Sequence, residues 1–215
     1  MLTFQDFFTA CTGLWITERT YHSMLENEIE RSHTEFRVHA LDGDEKQQIL
    51  SGVFTSPSTA TAGAAADAIH HQCPGFAIAF DTVSEKGEQV SMQLKALFVP
   101  DECALLPTAE VESWLLPTAA QVNLSPASDV IRGFYLRDEG YSEAGAIAGR
   151  FTYQPTRQTL EMTTYYKRSV AVDQMRFIAP DLRLRTIVTY QRPPEGEMPT
   201  LIKLVGFGVE HKHPG

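Results

Sequence analysis

The sequence is poor in several features that would have marked a familiar class of protein. Only three cysteines occur among 215 residues, Cys11, Cys73 and Cys103, and none forms a CxxC pair. That argues against a disulfide framework and fits a reducing compartment. No apolar run approaches the roughly 20 residues needed to cross a bilayer as a helix. The N-terminus, MLTFQDFFTACTGLW, lacks a basic segment followed by a long apolar core, so no secretory signal is expected. Positive charge is in deficit: 18 Lys and Arg face 27 Asp and Glu, a net charge of −9. Such a surface disfavours polyanionic partners, both nucleic acid and anionic membrane. Glycine-rich phosphate loops, internal repeats and a βα rhythm are all missing. These absences leave a soluble, cytosolic globular protein of ordinary composition, expected as one domain over 1–215.

Alternation dominates what is there. Residues 3–12, TFQDFFTACT, predict a short helix, with Phe4, Phe7 and Phe8 on one face and Thr3 as its cap. LWITERTYHSM (14–24) and ENEIERSHTEFRVHAL (26–41) then read as a hairpin. DGDEKQQILSGVF (42–54) is a second helix. The small-residue stretch about 55–75 reads as a mobile loop, with one helical turn over 64–71. GFAIAFDTV, EQVSMQLKALFV, DVIRGFYLRDEGY, AIAGRFTYQP, TLEMTTYYKR, VDQMRFIAPDLRLRTIVTYQ and TLIKLVGFGVE supply further strands. RPPEGEMP is a hairpin loop, and about 211–215, within EHKHPG, reads as a frayed tail. An antiparallel set of nine or ten strands closes most economically into a barrel, whose interior can hold a ligand.

Within a barrel, side chains alternate inside and outside. Arg183 and Arg185 in DLRLRTIVTY therefore share a face, which points either to water or into a pocket for an anion. Arg19 shares a face with Trp15 and Tyr21, an aromatic face that predicts the interior or the mouth. The direction of Arg150 in AGRFTYQ is ambiguous. Arg176 shares a face with Ile178, and Pro180 predicts a bend or bulge before the next strand. Arginine suits carboxylates because its planar fork donates two parallel hydrogen bonds. Several arginines with a lining of Trp, Tyr, Phe and Met suit a large, flat, conjugated acid. The competing reading pairs these arginines with Glu18, Glu35, Glu161 or Asp181 on the outer surface. HHQC (70–73) has no matching second cluster beyond His211 and His213, so no metal site is expected.

Three segments occur in order: GLWITERTYH, RDEGYSEAGAIAGRFTY and MRFIAPDLRLRTIV. Together, with the patterns GYxExxxxAGR and APxLRLRT, they resemble the S/U-type phycobiliprotein lyases, the CpcS, CpeS and CpcU group of cyanobacteria and related plastids. The resemblance runs over about residues 3–209 and is thin between 55 and 75. It implies an all-β fold, a lipocalin-like or fatty-acid-binding-protein-like antiparallel barrel of about ten strands with an N-terminal α-helix. It also implies a chromophore lyase. Its substrate is a phycobilin (phycocyanobilin or phycoerythrobilin), attached through a thioether to a cysteine of a phycobiliprotein subunit, with no permanently bound cofactor.

The nucleophile then belongs to the acceptor, so Cys11, Cys73 and Cys103 are expected to be ordinary small residues. Arg19, Arg150, Arg183 and Arg185 lie in the matching motifs and become propionate ligands. Trp15, Tyr21 and His22 become wall or mouth residues. Two positions depart from the family's pattern. Where an acid often stands in a TEY-like segment, this chain has Thr164-Tyr165-Tyr166, and where Trp often precedes Phe it has Arg176-Phe177. Glu161, four residues before Tyr165, is the expected substitute acid. Glu161 and Arg150 are thus the expected catalytic residues, with Tyr165 and Arg176 counted among the bilin-binding set. The departures leave open a U-type partner subunit of a two-chain lyase, a bilin carrier without transfer activity, and a homodimer or a heterodimer with a related lyase. The cytosol of a cyanobacterium, or the stroma of a plastid, is the expected compartment.

Overall fold

The computed structural model describes residues 1–53, 73–103, 116–120, 129–140 and 145–214. The expected mobile loop and its helical turn fall almost wholly outside these residues.

Ten antiparallel strands close a barrel: β1 (Gly13–Ser23), β2 (Glu28–Ala40), β3 (Gly75–Ser84), β4 (Gln89–Pro100), β5 (Ile131–Arg137), β6 (Ile147–Gln154), β7 (Thr159–Tyr165), β8 (Ser169–Ala179), β9 (Leu182–Gln191) and β10 (Ile202–His213). Each pairs with its sequence neighbours, and β1 closes the ring on β10 through ten residue pairs from Leu14↔His213 to Ser23↔Leu204. The bend predicted at Pro180 is a register shift between Phe177 and Ala179. The predicted frayed tail is corrected: His211, Lys212 and His213 belong to β10, and pairing with β1 holds them.

The helix α1 (Phe4–Cys11) stops one end of the barrel. Thr3 caps it, its hydroxyl oxygen accepting from the Asp6 amide at 3.2 Å. Phe4, Phe7, Phe8 and Cys11 project into the barrel and are buried. Phe7 packs edge-on against Phe177 at 5.1 Å between centroids, and Phe8 lies 4.6 Å from Phe98. Such pairs add about 1 kcal/mol each beyond area burial. Polar contacts fix the helix as well. Trp15 Nε1 donates to the Cys11 carbonyl at 2.8 Å, the Tyr153 hydroxyl donates to Leu2 O at 2.8 Å, and Lys212 Nζ donates to Ala10 O at 3.1 Å. The last turn of α1 holds no basic residue of its own, so Lys212 supplies the cation that a helix C-terminus favours.

Among the described residues, two coverings lie on the outside of the barrel. Helix α2 (Gly43–Val53) begins with a reciprocal cap: Asp42 Oδ1 accepts from the Glu45 amide while Glu45 Oε2 accepts from the Asp42 amide. Its Ile49 packs with Leu97, Phe134 and Leu136 on the outer face of β4 and β5. A second apolar cluster joins Leu116, Ala119 and Ala120 to Val170, Val172 and Tyr190. Residues 116–120 thereby cover the outer face of β7 to β9. Parts of the barrel wall are consequently buried on both faces.

Candidate functional site

A cavity of about 360 Å³ occupies the half of the barrel away from α1, toward the turn between β7 and β8. Its wall is mainly apolar and aromatic, with Tyr21, Phe36, Phe80, Tyr135 and Met162 among the lining. Among the described residues its charged lining consists of Arg19, Arg137, Arg185 and Asp173, three cations against one anion, a net charge of +2.

Each arginine is fixed by its strand and its partners. Arg185 on β9 forms a two-pronged pair with Asp173 on β8: Nε donates to Oδ1 at 2.8 Å, and Nη2 donates to Oδ2. Asp173 is reached because β8 also alternates, placing Ser169, Ala171 and Asp173 inside. Arg19 Nη1 reaches the Tyr21 hydroxyl at 3.4 Å, and its Nη2 lies 3.5 Å from Glu210. Arg19 Nε is buried and has no hydrogen-bond partner among the described residues. Arg137 Nη2 donates to the Tyr166 hydroxyl at 2.9 Å, and its guanidinium sits 5.6 Å from the Tyr135 ring.

Beneath the cavity lies a sealed ion pair. Arg183 Nη2 and Nε lie 2.7 and 2.9 Å from Glu210 Oε2. The Arg183 guanidinium also stacks 3.8 Å over the Trp15 ring. Burial alone would raise the pKa of Glu210. The combined field of Arg183, Arg185 and Arg19 outweighs that and holds its carboxyl below the usual carboxylate value. The thiols go the other way. Burial raises Cys11 despite the nearby Arg183, and burial chiefly, with Cys103 adjacent, pushes Cys73 up to about 12. Neither is poised as a thiolate nucleophile.

Of the residues singled out in the sequence, Arg19, Tyr21 and Arg185 come together on the cavity wall. Arg183 shares the inward face of Arg185 but is committed to Glu210 and Trp15 below the cavity. Trp15 is fully buried beside Phe177 and α1, so it belongs to the floor rather than to the mouth.

Five expected positions are corrected. His22 lies on the outer face of β1, where its ring meets Phe207 at 6.0 Å. Arg150 lies on the outer face of β6, opposite in direction to Phe151 and Tyr153. It pairs with Asp101 at 2.7 and 2.8 Å and covers the outward Phe134 ring at 4.5 Å. Arg176 is exposed on the outer face of β8. Glu161 and Tyr165 share a face as predicted, but it is the outer one, because Leu160, Met162 and Thr164 take the inside. Glu161 accepts from Gln174 Nε2 at 2.6 Å, beneath the covering segment whose Ala119 carbonyl the same amide reaches at 3.3 Å. Tyr165 packs with that covering segment. Among the described residues the carboxylates that do face the interior here are Asp173 and Glu210, neither of them a candidate from the sequence, nor was Arg137.

Gly206 and Gly208, inward on β10, explain how Arg19 and Tyr21 fit. A Cβ at Gly206 would lie 2.8 Å from two Tyr21 ring carbons, and one at Gly208 would lie 3.2 Å from Arg19 Cγ. The pattern GFGVE thus marks a strand whose inner face gives up its side chains to the neighbouring β1. Among the described residues no cluster of three metal-ligating side chains occurs, and no helix is long and apolar enough to cross a membrane. His70 and His71 lie outside the described residues.

Comparison with known proteins agrees with this geometry. The "Chromophore lyase CpcS/CpeS 1" of Synechococcus sp. (strain JA-3-3Ab) is 38% identical over 209 residues, covering 97% of this chain and 96% of that protein. The "Chromophore lyase CpcS/CpeS 2" of Synechocystis sp. (strain ATCC 27184 / PCC 6803 / Kazusa) is 25% identical over 183 residues, 84% of this chain and 77% of its own. The solved structure of the S-type phycobiliprotein lyase CPES from Guillardia theta superposes with a TM-score of 0.63 at 16% identity. It covers 100% of this chain and 94% of that one, a likeness of fold. The CpeS-like protein family model matches residues 3–104 and 117–213, nearly the whole barrel, and the chain belongs to that family.

Proposed function

We propose that this chain binds a phycobilin in the barrel cavity and attaches it through a thioether to a cysteine of a phycobiliprotein subunit. The observation that carries the reading is the cavity's charge and lining together: a net +2 set by three arginines against one aspartate, on aromatic and apolar walls. A bilin is a flat conjugated acid with two propionates, so its charge and its surface both match. The names of the relatives and the family membership support the same activity.

In this reading Arg19 and Arg185 hold the propionates. Arg19 Nε gains the acceptor it lacks among the described residues, and Arg137 adds a third cation. Asp173 accepts from the pyrrole N–H groups and favours the protonated pigment. Arg183 and Glu210 keep Arg19 and Arg185 in place from below. The acceptor's thiolate adds to the ethylidene carbon of ring A, a carbon–sulfur bond forms, and a proton goes to the adjacent ring carbon. No group leaves. The barrel's part is orientation, restraint of the pigment and proton placement. The setting is the cytosol of a cyanobacterium or a plastid stroma.

The test mixes the protein with phycocyanobilin or phycoerythrobilin and an apo-phycobiliprotein subunit, denatures the mixture, and measures pigment retained on the acceptor. Retention above the protein-free reaction, with the native absorbance maximum, is expected. Tight pigment binding without retention identifies a carrier. Retention only after a related lyase chain is added identifies a subunit of a two-chain enzyme.

A further inference from the structure

The chain is acidic overall, with a net charge of −9, yet one groove is basic. Lys167, Arg168, Arg192 and Lys203 line it together with Gln191, Pro193 and Pro194, and among the described residues no carboxylate is in its lining. Two neighbouring hairpins build it. Lys167 and Arg168 form the turn between β7 and β8, Arg192 and the prolines follow β9, and Lys203 is the second residue of β10. The hairpins are fastened to each other: Arg192 Nη1 donates to Tyr166 O at 2.7 Å, and the Arg192 amide donates to Arg168 O at 3.2 Å. Glu195 and Glu197 lie in the same loop but outside the groove's lining. Four like charges gathered on a fixed frame repel one another, so the arrangement favours an anionic surface laid against it.

Position supplies the second argument. Tyr166 and Ser169, the residues flanking Lys167 and Arg168, line the cavity, as does Thr189, two residues before Gln191. The groove is therefore the rim of the cavity's mouth on this side. A polypeptide whose cysteine is to meet a pigment in that cavity comes to rest at the mouth, of which this rim is one side.

We propose that the groove is the docking surface for an acidic patch on the polypeptide that accepts the pigment; this rests on reading the cavity as the pigment site. The chain's net negative charge disfavours an acidic partner on average, and the groove steers it to the mouth where transfer occurs. Rim charges of this kind act on encounter and are salt-sensitive.

The experiment compares the wild type with Arg168→Glu/Lys203→Glu, both cations on the groove rim. Labelled apo α and β subunits of phycocyanin and phycoerythrin are titrated by fluorescence anisotropy at about 50 and about 300 mM NaCl. Phycocyanobilin binding is followed separately by absorbance, and folding by thermal melting. The expected result is a loss of acceptor affinity of about tenfold or more at low salt. The reversed variant loses the salt dependence that the wild type shows, and phycocyanobilin affinity is unchanged. Arg168→Lys/Lys203→Arg, which keeps the charge, binds as the wild type does. If charge reversal lowers the melting temperature, the neutral Arg168→Gln/Lys203→Gln pair replaces it, with an intermediate loss expected. The proposal is overturned if the variants bind the acceptor as the wild type does, if wild-type binding ignores salt, if no subunit binds, or if the groove proves to serve only anionic vesicles. Groove-dependent acceptor binding without phycocyanobilin binding would remove the cavity reading and leave the docking surface standing.

Discussion

Arg183 and Glu210 face each other inside the barrel with two nitrogens on one carboxylate oxygen, at 2.7 and 2.9 Å, and both side chains are sealed from water. Glu210 also stands 3.5 Å from Arg19 and 3.8 Å from Arg185, so one carboxylate serves three arginines. The arginines that line the cavity and the arginine that packs on Trp15 are thereby one electrostatic unit. Removing the shared anion leaves buried positive charge without compensation.

Glu210→Gln is expected to destabilise the fold by about 3–5 kcal/mol, the usual cost of breaking a buried pair from one side. Urea unfolding at neutral pH measures it. The pH dependence has a definite sign. Glu210's folded pKa is lowered, so its contribution is fully present above its ordinary value of 4.5 and is lost as pH falls through the lower folded value. The wild type should lose stability over that acid range, and Glu210→Gln should show a flatter profile there.

Glu161 gives the opposite sign. Burial raises its pKa, with the Gln174 hydrogen bond opposing. A raised carboxyl favours the folded state below 4.5 and loses that contribution as pH rises through the folded value. Glu161→Gln should therefore raise the melting temperature at about pH 8, with the gain shrinking toward about pH 4. Pigment transfer should stay within a factor of about two, because the side chain points away from the cavity; a loss of about tenfold or more would return Glu161 to the site.

Arg150→Ala is expected to cost no more than about 1 kcal/mol, because its pair with Asp101 is partly exposed and screened. Phycocyanobilin affinity, read by absorbance titration, should not change. A drop in affinity with stability intact would show that the outer face of β6 contributes to pigment binding.

The limits of the sequence reading follow from which strands have one wet face. β2 alternates from Ser32 to Val38, and β1 carries Trp15 and Thr17 on its buried face, so parity alone sent Arg19 and Tyr21 inward. The same parity placed Arg183 and Arg185 together. It also sends His22 outward, against the wall or mouth position that the family motif implied for it. On β7 the burial runs unbroken from Thr159 to Thr164, because residues 116–120 cover its outside. Burial there does not distinguish the faces, but the alternation of Leu160 and Met162 with Thr159, Glu161 and Thr163 already put Glu161 on the face opposite the apolar pair. Arg150 is ambiguous for a related reason: α2 helps bury the outward Phe134 beside it. Asp173 and Glu210 are lone acids in AVDQM and GVEHK, and each reads as a solvated strand residue until the register is known: Glu210 stands opposite Arg183, and Asp173, opposite Ile187, meets Arg185 on the diagonal. The one local signal for Glu210 is the alternation of Gly206 and Gly208 with Phe207, which marks the face that Glu210 shares.

Asp173→Asn separates binding from chemistry. It removes the anion paired with Arg185 and raises the cavity's formal charge from +2 to +3. Propionate binding should be kept or strengthened, while the bound pigment loses the carboxylate proposed to favour its protonated form. The expected outcome is phycocyanobilin affinity equal to or above the wild type, a blue-shifted absorbance of the complex, and transfer slowed by about tenfold or more. Unchanged absorbance and rate would assign Asp173 to positioning Arg185 alone.

Gly206→Ala tests the shape of the cavity without touching a charge. The added Cβ would meet the Tyr21 ring at 2.8 Å, closer than real Cβ contacts come, so the ring must move. Tyr21 is held by the backbone of β1, which pairs at this point with Gly206 itself, so the ring swings rather than the strand. It carries the Arg19 contact to its hydroxyl with it. Both residues line the cavity, so pigment affinity should fall by about tenfold, with folding stability reduced by about 1–3 kcal/mol from overpacking. Tyr21→Phe in the same background should recover nothing, since the clash lies at the ring carbons, whereas Tyr21→Ala should restore stability without restoring the aromatic wall. If Gly206→Ala instead binds pigment as the wild type does, Tyr21 is not part of the surface the pigment touches.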